Sequence, residues 1–265
     1  MSGDCSDRQK PEPNRIVLLV AEGELANIAV NHLVAHFGRV TILREQPESK
    51  WAILRRRARL LGPLYAFSQA ICGVLLKLVA KRSRTRIDEI CAGNGLLAQN
   101  PANIQIRSIG SVNSAPCRRV LKELNPQVIA VYGTRIISKQ TLAAVPAPFI
   151  NYHAGITPKY RGQHPAYWAQ VEGDRDSAGV TVHLVDEGVD TGAVLYQASV
   201  SFSPRDNITT FQYVQMATAL PLFVRAIEDA LESRLRPQKV DLPSKKWFPP
   251  TLSQYVMNGI RHSVW

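Results

Sequence analysis

Residues 15–43, RIVLLVAEGELANIAVNHLVAHFGRVTIL, decide the fold class. Arg15 to Ala21 is a short, unbroken apolar run, the pattern of a strand buried on both faces of a parallel sheet. From Leu25 to Phe37 the apolar residues Leu25, Ile28, Ala29, Leu33 and Phe37 recur at helical spacing, and Gly38 follows as a stop signal. Arg39 to Leu43 returns to strand. A strand, a helix and a strand in so few residues open a doubly wound α/β layout, with helices covering a parallel sheet.

Outward from this unit the apolar runs repeat. Ile104 to Ile106, Gln127 to Tyr132, Phe149 to Tyr152, Gly179 to Val185 and Ala193 to Val200 read as further strands, and Asn113 to Leu124 as a helix ending before Asn125-Pro126. Residues 50–98 read as helical, broken near Gly62-Pro63 and again near Arg82 to Arg84. Asn207 is expected to cap a long helix reaching about Arg234, kinked by Pro221. The expected partition is a loose tail over 1–14, a catalytic domain over 15–203, and a C-terminal helix with an irregular extension over 204–265. The tail lacks the apolar core of a secretory signal, which points to a cytoplasmic protein. The segment KKWFPP at 245–250 is too aromatic for an idle linker and is expected to pack on the domain.

A chain of 265 residues, 45% hydrophobic and 20% charged, is neither disordered nor collagen-like nor a disulfide mini-protein. Cysteines at 5, 72, 91 and 117 form no CxxC pair, so reduced thiols and no metal are expected. The net charge of +11 lies in residues 1–150, with 21 Lys/Arg against 10 Asp/Glu. Residues 50–87 alone hold ten basic residues and no acid, which favours an anionic partner: phosphorylated substrate, nucleic acid or membrane surface. Inside that block Leu60 to Leu76 carries no charge for 17 residues. Pro63, Ser68, Gln69 and Gly73 weaken a transmembrane reading, so a buried or interface helix is preferred, then a membrane-surface helix, with a true span last.

In an open parallel sheet, ligands sit at the carboxyl ends of strands. The polar residues closing the apolar runs are Gly133 to Arg135, Asn151 to His153 and Asp186 to Asp190. Asn151 and His153 share one face of an extended strand. An amide to hold a developing oxyanion beside an imidazole to handle a proton suits acyl transfer.

The runs NYHAGITPKYRG at 151–162 and GVTVHLVDEGVDTG at 179–192, with Gly173-Asp174 between them, resemble the formyltransferase family that uses 10-formyltetrahydrofolate. That family includes methionyl-tRNA, glycinamide ribonucleotide and sugar N-formyltransferases, and its pattern is roughly N-x-H-x-S-L-L-P-x-Y-R-G, then G-V-T-x-H and D-x-G-x-D-x-G. The resemblance is strong from about Pro126 to Ala198 and only topological before that. It implies a Rossmann-like open, mostly parallel sheet with helices on both faces and a short C-terminal extension, with 10-formyltetrahydrofolate as cosubstrate. By motif position Asn151, His153 and Asp190 are similar to the catalytic Asn, His and Asp: one donates to the oxyanion, one moves a proton, and one orients and charges the imidazole. The folate is implied to meet the backbone of Arg135, Ile136 and Ile137 and the loop of Val185, Asp186, Glu187, Gly188 and Val189. Arg135 itself reads equally as a ligand for an anionic group and as a structural arginine.

Departures narrow the expected acceptor. Gly155, Ile156 and Thr157 replace Ser-Leu-Leu. Ala21-Glu22-Gly23-Glu24 lacks a glycine-rich phosphate turn and carries two carboxylates, which argues against the purine-pathway substrate. No segment corresponds to the C-terminal barrel of the transfer-RNA enzyme, which argues against transfer RNA, although the basic segment 50–87 could substitute for it in principle. The expected partner is therefore a small-molecule primary amine, a nucleotide-linked amino sugar foremost and a small free amine or amino-acid derivative close behind; peripheral membrane contact and an oligomer are left open. The alternatives are a 10-formyltetrahydrofolate hydrolase and, from another class, a non-catalytic folate-binding or membrane-associated scaffold. His183 reads as a core histidine or a support to the site, and His164 as facing the acceptor or capping a helix.

Overall fold

The structure, a computed structural model, describes residues 15–101 and 104–265, so the tail read over 1–14 lies outside the described residues. The opening unit forms as its sequence predicts, with β1 (Ile16–Val20), α1 (Glu24–Phe37) and β2 (Thr41–Glu45). Ile16, Leu18 and Val20 enter one core and Val17 and Leu19 the opposite one, which is why β1 has no polar face. Gly38 ends α1 at φ 70, where glycine alone is unstrained, and its N–H bonds to the Val34 carbonyl.

The chain continues as α2 (Lys50–Leu61), α3 (Pro63–Arg82), α4 (Arg84–Gly93), β3 (Ile106–Ile109), α5 (Ala115–Leu124), β4 (Val128–Tyr132), the single turn α6 (Lys139–Leu142) and β5 (Phe149–His153). Then come β6 (Arg161–Gly162), α7 (Pro165–Val171), β7 (Gly179–Leu184), β8 (Val194–Ser199), α8 (Phe211–Leu231), β9 (Lys246–Trp247) and α9 (Leu252–His262). One seven-stranded sheet has the order β3-β2-β1-β4-β5-β7-β8. Strands β3 to β5 in that order run parallel, and β7 and β8 are antiparallel. Helices α1, α4 and α8 bury apolar stripes on one face, and α5 covers the other with Cys117, Val120 and Leu121. The expected open, mostly parallel α/β sheet with helices on both faces is the fold.

Three local readings change. β2 and β3 begin two residues later than read, because parallel pairing aligns Ile42 with Ile106. Asn207 does not cap the long helix; its side chain accepts from the Thr209 N–H at 2.9 Å and closes a preceding turn, leaving Thr210 as the cap. The uncharged stretch read as a buried or interface helix is mostly open: in α3 only Ala66, Gln69 and Cys72 are buried. Gln69 and Cys72 face the C-terminal tail and the aromatic cluster beside it, and α2, α4 and α9 also touch the helix, but its apolar outer side stays open.

That tail is built on stacked aromatics. Trp247 stacks on Trp168 at 4.7 Å and on Tyr160 at 5.9 Å, while the Trp168 indole N–H donates to the Phe248 carbonyl at 2.9 Å. β9 pairs in parallel with β6, and a capping box between Thr251 and Gln254 opens α9.

Candidate functional site

Asn151 and His153 close β5, and antiparallel pairing puts Asn151 opposite His183 of β7. His183 is buried, and its Nδ1–H donates to the Leu184 carbonyl at 2.7 Å. Since a carbonyl only accepts, Nε2 of His183 is the bare nitrogen, and it takes a hydrogen bond from the Asn151 amide at 3.1 Å. Burial, ahead of the neighbouring His153, holds His183 below the ordinary imidazole value and keeps it neutral. One amide proton of Asn151 is thereby fixed, which aims the other.

His153 is 7% exposed. Its Nε2–H donates to the Tyr160 carbonyl at 2.9 Å, so Nδ1 is the nitrogen able to take up a proton, and it lies 3.5 Å from Asp190 Oδ2. Asp190 sits at φ 51 in the left-handed region, which Asp tolerates better than most residues. Its Oδ2 accepts the Gly162 N–H at 2.9 Å, and its Oδ1 lies 3.8 Å from His183 Nε2. The three residues read as the chemical centre thus meet, joined by His183, whose role was left between core and support.

The loop before Asp190 is tight. Asp186 accepts from the Gly188 N–H at 3.0 Å and the Thr191 hydroxyl at 2.6 Å, and a Cβ on Gly188 would come within 1.8 Å of Thr191 Oγ1. Arg161 donates to the Val189 carbonyl at 3.0 Å, binding this loop to β6. Lys139 and Glu187 pair at 3.2 Å, so the loop of Val185–Val189 lies against the turn that follows Arg135, Ile136 and Ile137, the other stretch read as a folate contact. Ile136 is exposed and Ile137 is core. The Arg135 guanidinium is spent on Glu45 at 2.7 Å and on the carbonyls of Gly110 and Gln46, a structural assignment for its side chain; its N–H goes to Glu45 and the Ile136 carbonyl accepts from Asn113.

Beside His153 opens a cavity of about 280 Å³, lined by Gly162, Gln163, His164, Phe211, Gln212 and Gln215 among others. The three residues from α8 were not legible, because nothing in their local pattern separates a cavity wall from a core stripe. His164 precedes α7 at φ 53, with no partner on Nδ1, and burial followed by the charge of Arg57 pushes its pKa down to about 4. Arg57 of α2 donates to Gln163 at 3.1 Å, bringing the basic segment to the cavity mouth. Glu24, which with Glu22 argued against phosphate at the β1 turn, is bound by Arg84 at 2.7 Å and by Tyr213 at 2.8 Å, so its charge is compensated.

An N-x-H strand end thus faces a D-x-G-x-D-x-G loop beside a mostly parallel sheet, the arrangement that the formyltransferase resemblance implies. Residues 100–227 match the formyl transferase family (Formyl_trans_N). The methionyl-tRNA formyltransferase of Pelotomaculum thermopropionicum is 35% identical over 133 residues, 49% of this chain and 42% of that protein. The chain spans about half or less of the length of the curated relatives it matches. Glycinamide ribonucleotide transformylase 1 from Symbiobacterium toebii superposes with a TM-score of 0.57 at 18% identity, over 90% of this chain and 100% of that one. An N-formyltransferase from Helicobacter canadensis, solved with folinic acid and dTDP-3-aminofucose, gives 0.55 at 15% identity, over 88% and 70%. At these identities the two structures share the fold.

The expectation against transfer RNA as acceptor is overturned by the curated relatives, which are methionyl-tRNA formyltransferases. It rested on a barrel beyond the catalytic fold, whereas the similarity lies in the catalytic segment itself.

Proposed function

We propose that this protein transfers the formyl group of 10-formyltetrahydrofolate to a primary amine on a phosphate-bearing carrier. The observation that carries the reading is the meeting of Asn151, His153 and Asp190 around His183, with His153 lining the neighbouring cavity. The amine lone pair attacks the formyl carbon, and the carbonyl oxygen becomes an oxyanion that the free Asn151 amide proton stabilises. His153 takes the proton shed by the amine at Nδ1, with Asp190 beside it to balance the imidazolium, and returns it to N10 of the folate as the C–N bond breaks. Products are the formamide and tetrahydrofolate, and no covalent enzyme intermediate is required.

For the carrier, Arg57 at the cavity mouth and the neighbouring Arg55 and Arg59, which have no carboxylate partner among the described residues, support a phosphate group. A nucleotide-linked amino sugar and an aminoacylated transfer RNA both meet this description; the solved neighbours favour the first and the curated relatives the second. The test is tetrahydrofolate release by purified protein with nucleotide amino sugars, methionyl-tRNA, glycinamide ribonucleotide or no amine, alongside His153→Ala and Asp190→Asn. Amine-dependent release that both variants abolish is expected. Equal release without amine would reassign the site to hydrolysis, and no release with any acceptor sinks the proposal.

A further inference from the structure

We propose that the α2–α3 hairpin docks this protein on an anionic lipid surface. Along α3, Leu64 is 84% exposed, Phe67 61%, Ile71 41%, Val74 62% and Leu78 56%. These positions alternate in steps of three and four, so they form one apolar stripe along about four turns of helix. Leu60 and Trp51 of α2 are open as well. An apolar surface of this continuity is the kind that marks a contact with a protein or a membrane.

The opposite side of α3 is fixed to the protein. The Gln69 amide donates to the Pro249 carbonyl at 2.6 Å, the Leu252 N–H donates to the Ser68 hydroxyl at 3.1 Å, and Cys72 is buried among Tyr167, Tyr255 and their neighbours. The 20-residue helix is long and apolar enough to cross a bilayer, yet leaving for one would break these bonds. With one side committed and one side bare, it is built to lie in the surface plane.

Charge selects the occupant. From 50 to 82 the hairpin carries eight Lys/Arg and no acid. Arg55, Arg59, Lys77, Lys81 and Arg82 have no carboxylate partner among the described residues, whereas Arg84 and Arg86, just beyond, are paired with Glu24, Asp88, Glu89 and Asp206. Arg59 stands next to Leu60 at one end of the stripe, and Lys81 and Arg82 follow Leu78 at the other. A second copy of this chain would set two uncompensated positive strings against each other. Anionic headgroups neutralise both ends while acyl chains receive the stripe.

The test is flotation of the full chain with phosphatidylcholine vesicles, with and without roughly 30% phosphatidylglycerol, over a salt series. Binding is expected only to the anionic vesicles. It should fall at least about fivefold in Leu64→Ser/Phe67→Ser/Val74→Ser, and by as much or more in Arg55→Gln/Arg59→Gln/Lys81→Gln/Arg82→Gln. All seven side chains are exposed, and matching thermal melts keep misfolding out of the comparison. Absent flotation, equal affinity for neutral vesicles, or variants that bind like the parent overturn the proposal. A dimer in sedimentation velocity that the apolar variant dissolves would give the stripe to a second copy. RNA binding that needs the cations but not the stripe, without flotation, would give the charges to nucleic acid.

Discussion

The amide of Asn151 donates to the bare Nε2 of His183, two residues paired across β5 and β7. In the proposed mechanism His183 is therefore a positioning residue for the oxyanion donor. Replacing it by Leu leaves that amide free to turn. The variant is expected to keep a near-parental melt but lose about 10- to 100-fold in kcat with little change in KM. A kcat within twofold of the parent would remove His183 from the mechanism.

Gly162 carries two constraints at once. It sits at φ 94 with space for a Cβ closed by the Trp247 carbonyl at 2.2 Å, and its N–H anchors Asp190. Gly162→Ala is expected to part β6 from β9, cost roughly 2–3 kcal/mol in urea unfolding and lower turnover at least tenfold. Parental stability and rate together would mean the tail does not support the wall of the site.

Glu45 is 4% exposed and accepts from the Val112 N–H, the Arg135 N–H and the Arg135 guanidinium. Glu45→Ala strands the two backbone donors and leaves the Arg135 guanidinium only the Gly110 and Gln46 carbonyls, and should cost about 3–5 kcal/mol. Because Arg135 begins the stretch read as a folate contact, KM for 10-formyltetrahydrofolate is expected to rise more than kcat falls; the reverse split would separate this network from folate binding.

His164 titrates at about 4 in the folded chain against 6.5 for the ordinary side chain, through burial and then Arg57. Between those values the unfolded chain takes up a proton that the native state refuses. Stability must therefore fall as pH drops from 6.5 toward 4, by roughly 3 kcal/mol at most for this residue. His183 is shifted by burial in the same direction. His164→Asn, which accepts the left-handed backbone, should flatten the slope of urea midpoint against pH. An unaltered slope would locate the acid sensitivity elsewhere.

The parallel core was legible because each central strand is a closed apolar run and α1 carries its periodicity and its Gly38 stop in adjacent residues. Asn151 and His153 were legible for the same local reason. The tie to His183 was not, since the partner lies 32 residues away and strand register is a property of two segments together. α9 passed unread although its Thr251–Gln254 capping box was a usable signal, and β6 and β9, two residues each, leave no pattern at all. Of the two readings of the apolar stretch in α3, a buried helix and an interface helix, exposure removes the first, because apolarity reports what a segment prefers to touch, not whether its own chain supplies it.

The join of β5 to β7 also sets a schedule for synthesis. Until β7 and the following loop have left the ribosome, Asn151 and His153 stand at a bare sheet edge with neither His183 nor Asp190 beside them. The five parallel strands complete their order without that edge. A slip of one residue there would set Val182 or Leu184 opposite Asn151 and leave most of the sheet intact. Turnover is thus a stricter reporter of correct assembly than any bulk spectroscopic signal, because it reads the register of the last strands to arrive.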